Sequence, residues 1–183
     1  MKEQYITRKC TFDSGHRIMN EQFKCFNQHG HTYICELEFE FNEMEEIGYA
    51  IDFKEIKRIG CQWIDDYLDH GMILNPKDDI LIKSCLDTKS KYWLMSLNGK
   101  DKYCNPSVEN IAKEIFLAMS FLFKDYDYLT INKVILWETP NCYTICKRES
   151  ISEEEGKNWI ENRSDLITRY TQEKGILEYD DRK

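Results

Sequence analysis

Two of the four histidines in this 183-residue chain, His29 and His31, stand one residue apart in "KCFNQHGHTYICELEF" (24–39). On an extended strand, residues i and i+2 face the same side, with Cα atoms roughly 6.5 Å apart. Both rings can therefore share one divalent ion if a third ligand reaches them from a neighbouring strand. His16 closes the preceding "FDSGH" with the parity of Cys10 and Phe12, so a hairpin of the two segments brings it to the pair. Three neutral imidazoles hold Zn²⁺ at about 2.0–2.1 Å and leave a fourth position open, the pattern of a catalytic site. Gly30 lets backbone lie close to a ligand. The plainer alternative is three satisfied or surface histidines. The H-x-H on a core face with a third histidine near it favours the metal.

Cys25 lies four residues before His29. A thiolate beside a metal is acidified and can serve as a base; the other readings are a small buried hydrophobe or a further ligand. Asp69 and His70 are adjacent, and a carboxylate that orients an imidazole is a recurring acid–base device. Neighbours in sequence seldom bond each other well, so the partner of each stays open, and His70 could merely offset a helix dipole. Glu138 ends "KVILWE" with the parity of Val134 and Leu136, pointing inward. A buried carboxylate needs a partner. Either a guanidine-like ligand edge or a basic side chain of the chain would satisfy it.

The elements that must position these groups can be read from periodicity. Residues 5–13 are rich in β-branched and aromatic types, and 31–41 alternate Tyr33, Cys35, Leu37, Phe39 and Phe41 against Glu36, Glu38 and Glu40. Both predict half-buried antiparallel strands. A helix is expected from Asp52, with Glu55 as its cap partner and Phe53, Ile56, Ile59, Trp63, Ile64 and Tyr67 as its apolar stripe. A second helix is expected near "NPSVEN", with Pro106 in its first turn. "TINKVILWE" and "CYTICKR" predict two more strands around "TPN". The order ββααββ implies an α+β fold with helices on one face of an antiparallel sheet. Residues 76–105 interrupt it, and "LNGK" could turn a small hairpin there. Residues 151–183 suggest one or two short polar helices, begun by a Ser152–Glu155 capping box. We expect one domain over 1–150 and an acidic polar extension over 151–183.

Composition narrows the function classes. The net charge of −8 opposes nucleic-acid binding, and 42% hydrophobic residues suffice for a core. No apolar run is long enough for a bilayer and "MKEQYITRKC" has no apolar leader core, so neither a membrane nor a secretory role is expected. Eight scattered cysteines without such a leader predict reduced thiols and a cytoplasmic protein.

Six segments, "FDSGHRI", "CFNQHGH", "GYAIDFKEIK", "LDHGMILN", "NPSVENIA" and "WETPNCYTICKR", together resemble the 6-pyruvoyltetrahydropterin synthase / 6-carboxytetrahydropterin synthase family over about 5–148. The resemblance implies the T-fold, a four-stranded antiparallel sheet with two helices that assembles by its sheet edges into an oligomeric barrel, a homohexamer or related form. It implies His16, His29 and His31 as Zn²⁺ ligands, Cys25, Asp69 and His70 as catalytic residues, and Glu138 as the pterin anchor. Ser107 and Glu109 fall in the family's Pro-Thr-x-Glu motif and are implied to bind substrate, with Ser in place of Thr. Three residues between Cys25 and His29 resemble the bacterial 6-carboxytetrahydropterin branch. The implied reaction takes 7,8-dihydroneopterin triphosphate to 6-carboxytetrahydropterin, acetaldehyde and triphosphate, in the route to queuosine and related 7-deazapurines. The alternatives are triphosphate elimination without carbon–carbon cleavage, giving the pyruvoyl product, and a non-catalytic pterin-binding or zinc-stabilised module. Arg17, Lys24, Lys147 and Arg148 are the unranked candidates for meeting the triphosphate. Compact members are shorter at 76–105 and at the C-terminus.

Overall fold

Alternation in the two long N-terminal strands becomes a two-faced hairpin. The computed structural model describes residues 4–95 and 104–174. Strand β1 (Gln4–His16) pairs antiparallel with β2 (His29–Phe41) in unbroken register, so that Cys10 opposes Cys35 and His16 opposes His29. On the inner face of β2, Tyr33, Cys35, Leu37 and Phe39 are wholly buried. On the outer face Glu36, Glu38 and Glu40 meet Lys9, Lys133 and Arg148, each at 2.9 Å. Strand β5 (Leu129–Thr139) adds beside β2 and β6 (Cys142–Lys147) beside β5, both antiparallel. This is the expected four-stranded core.

A bulge in β5 decides where Glu138 points. Leu129 and Ile131 are buried, and so are Val134 and Leu136, because the register with β2 slips between Glu38 and Phe39. One extra residue re-aims everything after it. Without the slip, Glu138 would stand on the charged outer face.

Helix α1 runs over 53–67 as Phe53–Ile56, a wide π turn Lys57–Cys61, and Gln62–Tyr67. Asp52 caps it by accepting the Lys54 N–H at 2.8 Å, and Glu55 bonds Arg58 at 2.7 Å. The π turn carries Gly60, where a Cβ would sit 2.9 Å from Met119 Sδ and 3.0 Å from Leu37 Cδ1. Glycine there lets α1 close onto the sheet.

Two short strands extend the sheet past β1: β3 (Gly71–Leu74) and β4 (Tyr92–Leu94), both parallel, giving the order β4-β3-β1-β2-β5-β6. Between them lies helix α2 (Asp79–Thr88), capped by Asp78. The described part of the insert is thus a helix and a parallel strand. The turn expected at "LNGK" (97–100) lies outside the described residues. Strands of three and four residues are too short to declare a period, which is why the sequence concealed them.

Helix α3 (Val108–Leu122) begins at N-cap Ser107, so Pro106 precedes the cap rather than opening the first turn. Its inward Ile111, Ala112, Ile115, Phe116 and Met119 join the sheet and α1 in one core. Helix α4 (Glu153–Glu173) starts at the expected capping box, with Ser152 and Glu155 exchanging bonds at 3.1 and 2.9 Å. It is a single helix, and it is not polar all round. Trp159, Ile167 and Tyr170 are buried, and Glu155 holds Lys113 of α3 at 2.6 Å. Among the described residues no helix is long and apolar enough to cross a membrane.

Candidate functional site

The loop end of the β1–β2 hairpin gathers the three histidines. Paired strands fix their backbones, and shared parity turns all three rings inward. His16 Nε2 and His29 Nε2 are 3.1 Å apart, and one ring nitrogen from each of His16, His29 and His31 lies within 4.8 Å of the other two. Among the described residues no other trio of His, Cys, Asp or Glu converges so closely.

The backbone sets their protonation. His16 Nδ1 lies 2.6 Å from the Pro106 carbonyl and His29 Nδ1 lies 2.7 Å from the Asn27 carbonyl. A carbonyl can only accept, so both Nδ1 atoms carry the hydrogen and both Nε2 lone pairs face the centre. Burial lowers the His16 pKa, the Pro106 bond pulls it upward, and like charge on His29 and His31 lowers it again, to about 4. The ring is neutral at pH 7, as a metal ligand must be. Two lone pairs at 3.1 Å repel unless a cation lies between them. Tetrahedral ligands about 2.05 Å from one ion stand about 3.3 Å apart, close to the spacing found. The donor set fits a divalent ion of the zinc type, with hydrogen bonds behind it that orient the rings.

Glu138 reaches the same point. Its Oε1 lies 3.7 Å from His16 Nε2 and 3.8 Å from His31 Nε2. Burial raises the Tyr33 pKa, and the charge of Glu138 raises it further, so that phenol stays neutral beneath the rings.

Asp69 and His70 do bond each other, at 2.5 Å from Oδ2 to Nδ1. The backbone makes this possible: His70 has φ +52°, the left-handed region that folds its side chain back on its neighbour. The pair is then tied to β1, where the Asp13 N–H donates to Asp69 Oδ1 at 2.7 Å and the His70 N–H donates to the Asp13 carbonyl at 2.7 Å. Burial would raise Asp69, but the Asp13 N–H and His70 outweigh it and hold the carboxyl below its ordinary range. His70 itself is 76% exposed. It lines an open cleft of about 370 Å³ with Asp13, Ser14, Gly15, Gly30, His31, Thr32 and Gly71. His31 also lines this cleft, but Asp13, Gly15, Gly30 and Thr32 put the cleft on the hairpin face away from the imidazole rings.

Cys25 is exposed on a single turn, Lys24–Phe26, and its thiol is not part of the histidine group. Ser107 Oγ accepts the Asn110 N–H at 3.4 Å as the cap of α3, and Glu109 is exposed in the first turn. Three of the basic candidates are already engaged, Lys147 by Glu149 at 3.6 Å. Arg17 is bound to Asp78 by two contacts of 2.5 Å, and Arg148 to Glu40 and the Ile131 carbonyl. The contributions of Pro106 and Asp13 were invisible in sequence, because each acts through its backbone.

A family model described as 6-pyruvoyl tetrahydropterin synthase matches residues 5–149. A Rickettsia felis protein named 6-carboxy-5,6,7,8-tetrahydropterin synthase is 37% identical over 144 residues, 75% of this chain and 95% of that one. Among solved structures, an uncharacterized protein from Wolinella succinogenes superposes with a TM-score of 0.62 at 19% identity, covering 81% of this chain and 99% of that one. The Caenorhabditis elegans 6-pyruvoyl tetrahydropterin synthase does so with 0.56 at 21%, covering 80% and 96%. These two likenesses bear on the fold alone.

Proposed function

We propose, from the premise that the chain belongs to the 6-pyruvoyl tetrahydropterin synthase family, that it is a zinc-dependent 6-carboxy-5,6,7,8-tetrahydropterin synthase. It converts 7,8-dihydroneopterin triphosphate to 6-carboxytetrahydropterin, acetaldehyde and triphosphate, as a carbon–oxygen and carbon–carbon lyase of the cytoplasmic queuosine route. The observation that carries the reading is the inward convergence of three imidazole ring nitrogens, one each from His16, His29 and His31.

His16, His29 and His31 would hold the Zn²⁺, and what the ion supplies when bound is Lewis acidity at the substrate side chain. The residues do the rest. Cys25 acts as the base that takes a side-chain proton. His70, held in the Nδ1–H tautomer by Asp69, has Nε2 free to accept or return a proton. Glu138 receives the 2-amino and N3 donors of the pterin, a bidentate match for a carboxylate. Ser107 and Glu109 complete the substrate contacts. Lys24, next to Cys25, is left as the triphosphate contact, since Arg17, Lys147 and Arg148 are already paired.

The catalytic domain is 1–150, with the 76–105 insert, and 151–183 is an extension whose helix α4 packs on it. Self-association belongs to the reading. Strand β3 covers β1 only at Ser14–His16, leaving 4–13 of that edge without a partner strand among the described residues, and β6 ends the sheet at the opposite edge. Two unpaired edges on one mixed sheet invite copies to join.

Incubating the zinc-loaded protein with 7,8-dihydroneopterin triphosphate tests the reaction. Carboxytetrahydropterin by mass with stoichiometric acetaldehyde is expected. The pyruvoyl product without acetaldehyde would move the chain to the alternative reaction of its family, and unchanged substrate would reject the enzyme reading.

A further inference from the structure

The turn that carries Cys25 has almost nothing of its own to hold it. None of Lys24, Cys25 and Phe26 is buried, and the turn has no side-chain cap. A base must nonetheless stand within about an ångström of its working position to be effective. The tethers that hold this turn lead away from the hairpin and into the insert.

Arg17 directly follows the metal-site His16. Its guanidinium lies 5.1 Å from the centroid of the Phe26 ring, within cation–π range, so Arg17 is stacked on the residue after Cys25. Its other side is occupied by Asp78. Arg17 Nε donates to Oδ2 and Nη2 to Oδ1, both at 2.5 Å, a fork that fixes the plane of the guanidinium as well as its position. Asp78 is 1% exposed. It also caps α2, accepting the Leu81 N–H at 3.2 Å, so it is locked to the first turn of the insert helix. A second strand of contacts runs in parallel. Asn105 Oδ1 accepts the Met19 N–H at 3.0 Å and the Asn75 Nδ2–H at 2.9 Å, while the Ile18 N–H donates to the Cys25 carbonyl at 2.8 Å.

Capping a helix does not require a charge: Ser or Asn would do it without desolvating a carboxylate. A buried Asp that receives a bidentate Arg is justified by fixing where that Arg lies. We propose that Arg17 and Asp78 form a positioning brace, by which the insert helix holds the Cys25 turn at the metal site. The brace links α2 through Asp78, Arg17 and Phe26 to Cys25, and shares its root in the chain with His16. Asp78 and Arg17 are positioning residues, since both act through the turn. The inference rests on the reading of Cys25 as the base.

The test uses the full-length, zinc-loaded protein in a Cys142→Ser background, because Cys142 is the other exposed thiol. Asp78→Asn keeps a cap acceptor but loses the charge and one arm of the fork. Arg17→Gln loses the fork from the other side, and the double variant loses both. Leu81→Ala, at a buried position of α2, loosens the insert without touching the pair. In each of the three brace variants kcat should fall tenfold or more with KM within twofold and zinc stoichiometry unchanged. The rate of Cys25 alkylation by iodoacetamide should change at least threefold. The double variant should match the single ones, because either alone breaks the brace. Leu81→Ala should lower the melting temperature while leaving kcat and the alkylation rate near wild type. Wild-type kcat and alkylation in Asp78→Asn would overturn the brace, and so would Leu81→Ala reproducing both losses. Alkylation needs no substrate. If the wild-type protein left dihydroneopterin triphosphate unchanged, the proposed reaction would fall while alkylation still judged the brace.

Discussion

Asp69 serves two donors with two oxygens, and replacing it with Asn leaves only one acceptor. Oδ1 accepts the Asp13 N–H at 2.7 Å and Oδ2 accepts the His70 Nδ1–H at 2.5 Å. In Asp69→Asn the amide NH₂ must face one of those donors. Opposing it to the Asp13 N–H would break the tie to β1 at about 1–3 kcal/mol. Facing it toward His70 costs less, because a neutral imidazole can move its proton to Nε2 and accept at Nδ1. The variant should therefore keep its backbone and adopt the wrong tautomer, with no lone pair on Nε2 to accept a proton. Losing one general acid–base group lowers turnover by about 10²–10⁴-fold. The melting temperature should fall by no more than about 2–4 °C, the equivalent of about 1 kcal/mol in a chain of this size. Steady-state product formation measured by mass, with zinc content and thermal unfolding measured alongside, reads all three quantities. Asp69→Asn turning over within threefold of wild type with the fold intact would refute the role given to the pair. Acid stability offers a second check. A carboxyl held below its ordinary range stabilises the fold fully above its unfolded value of 3.8, and that stability is lost as pH falls through the lower folded value. Asp69→Asn should lack this loss, so the two unfolding curves should converge in acid.

Cys25→Ala should abolish product formation while retaining one zinc per chain by elemental analysis. Retained turnover would remove the thiol from the chemistry, and retained biological function without turnover would favour the non-catalytic module. Burial would raise Glu155, but Lys113 at 2.6 Å and Ser152 outweigh it and depress the carboxyl below its unfolded value of 4.5. Docking of α4 should accordingly hold above that pH and loosen as the solution is acidified through the folded value, with the change in Trp159 fluorescence absent in Glu155→Gln. Gly60→Ala adds a Cβ 2.9 Å from Met119 Sδ and 3.0 Å from Leu37 Cδ1. Overpacking of about 1–3 kcal/mol less about 1 kcal/mol of helix propensity leaves a net loss near 1 kcal/mol. Calorimetry should show a melting temperature about 2–4 °C lower.

What was legible in the sequence was what repeats. The glutamate alternation of β2 announced a two-faced strand, and the same parity correctly turned His29, His31 and His16 to one side. Glu138 was also aimed correctly, because it was counted from Val134 and Leu136, beyond the bulge. Counting from Leu129 would have sent it outward. Local exceptions were not legible. The π turn at Lys57–Cys61 leaves the 3.6-residue stripe nearly intact and so hides in it. The bond between adjacent Asp69 and His70 depends on a positive φ that nothing in "LDHGM" requires of a histidine. Arg17 looked like a free cation for triphosphate, since its partner Asp78 lies 61 positions away and belongs to an insert without a strong pattern. Helix α4 looked polar because, among its described side chains, the buried hydrophobics are only Trp159, Ile167 and Tyr170, a stripe too narrow for composition to reveal.

The distribution of rigidity within the site follows from which parts the sheet holds. The histidine trio stands on paired strands, with carbonyls of Pro106 and Asn27 behind two of the rings, so its geometry survives motion elsewhere. The proposed proton-handling groups, His70 and Cys25, stand on a left-handed residue and on an exposed turn. Two glycines keep the hairpin end closely packed. Gly15 and Gly30 oppose each other at the hairpin end, alternating with the histidines and therefore on the side away from the rings. A Cβ on Gly15 would collide with Met72 Sδ, and one on Gly30 would meet the Ser14 carbonyl at 3.1 Å. Gly15, Gly30 and Gly71 all line the cleft that His70 borders. A side chain at position 15 or 30 would push against Met72 or the Ser14 carbonyl and so shift the paired backbone that carries His16, His29 and His31. Their smallness thus serves the histidine trio through its backbone, by letting the two strands keep an unbroken register up to His16 and His29.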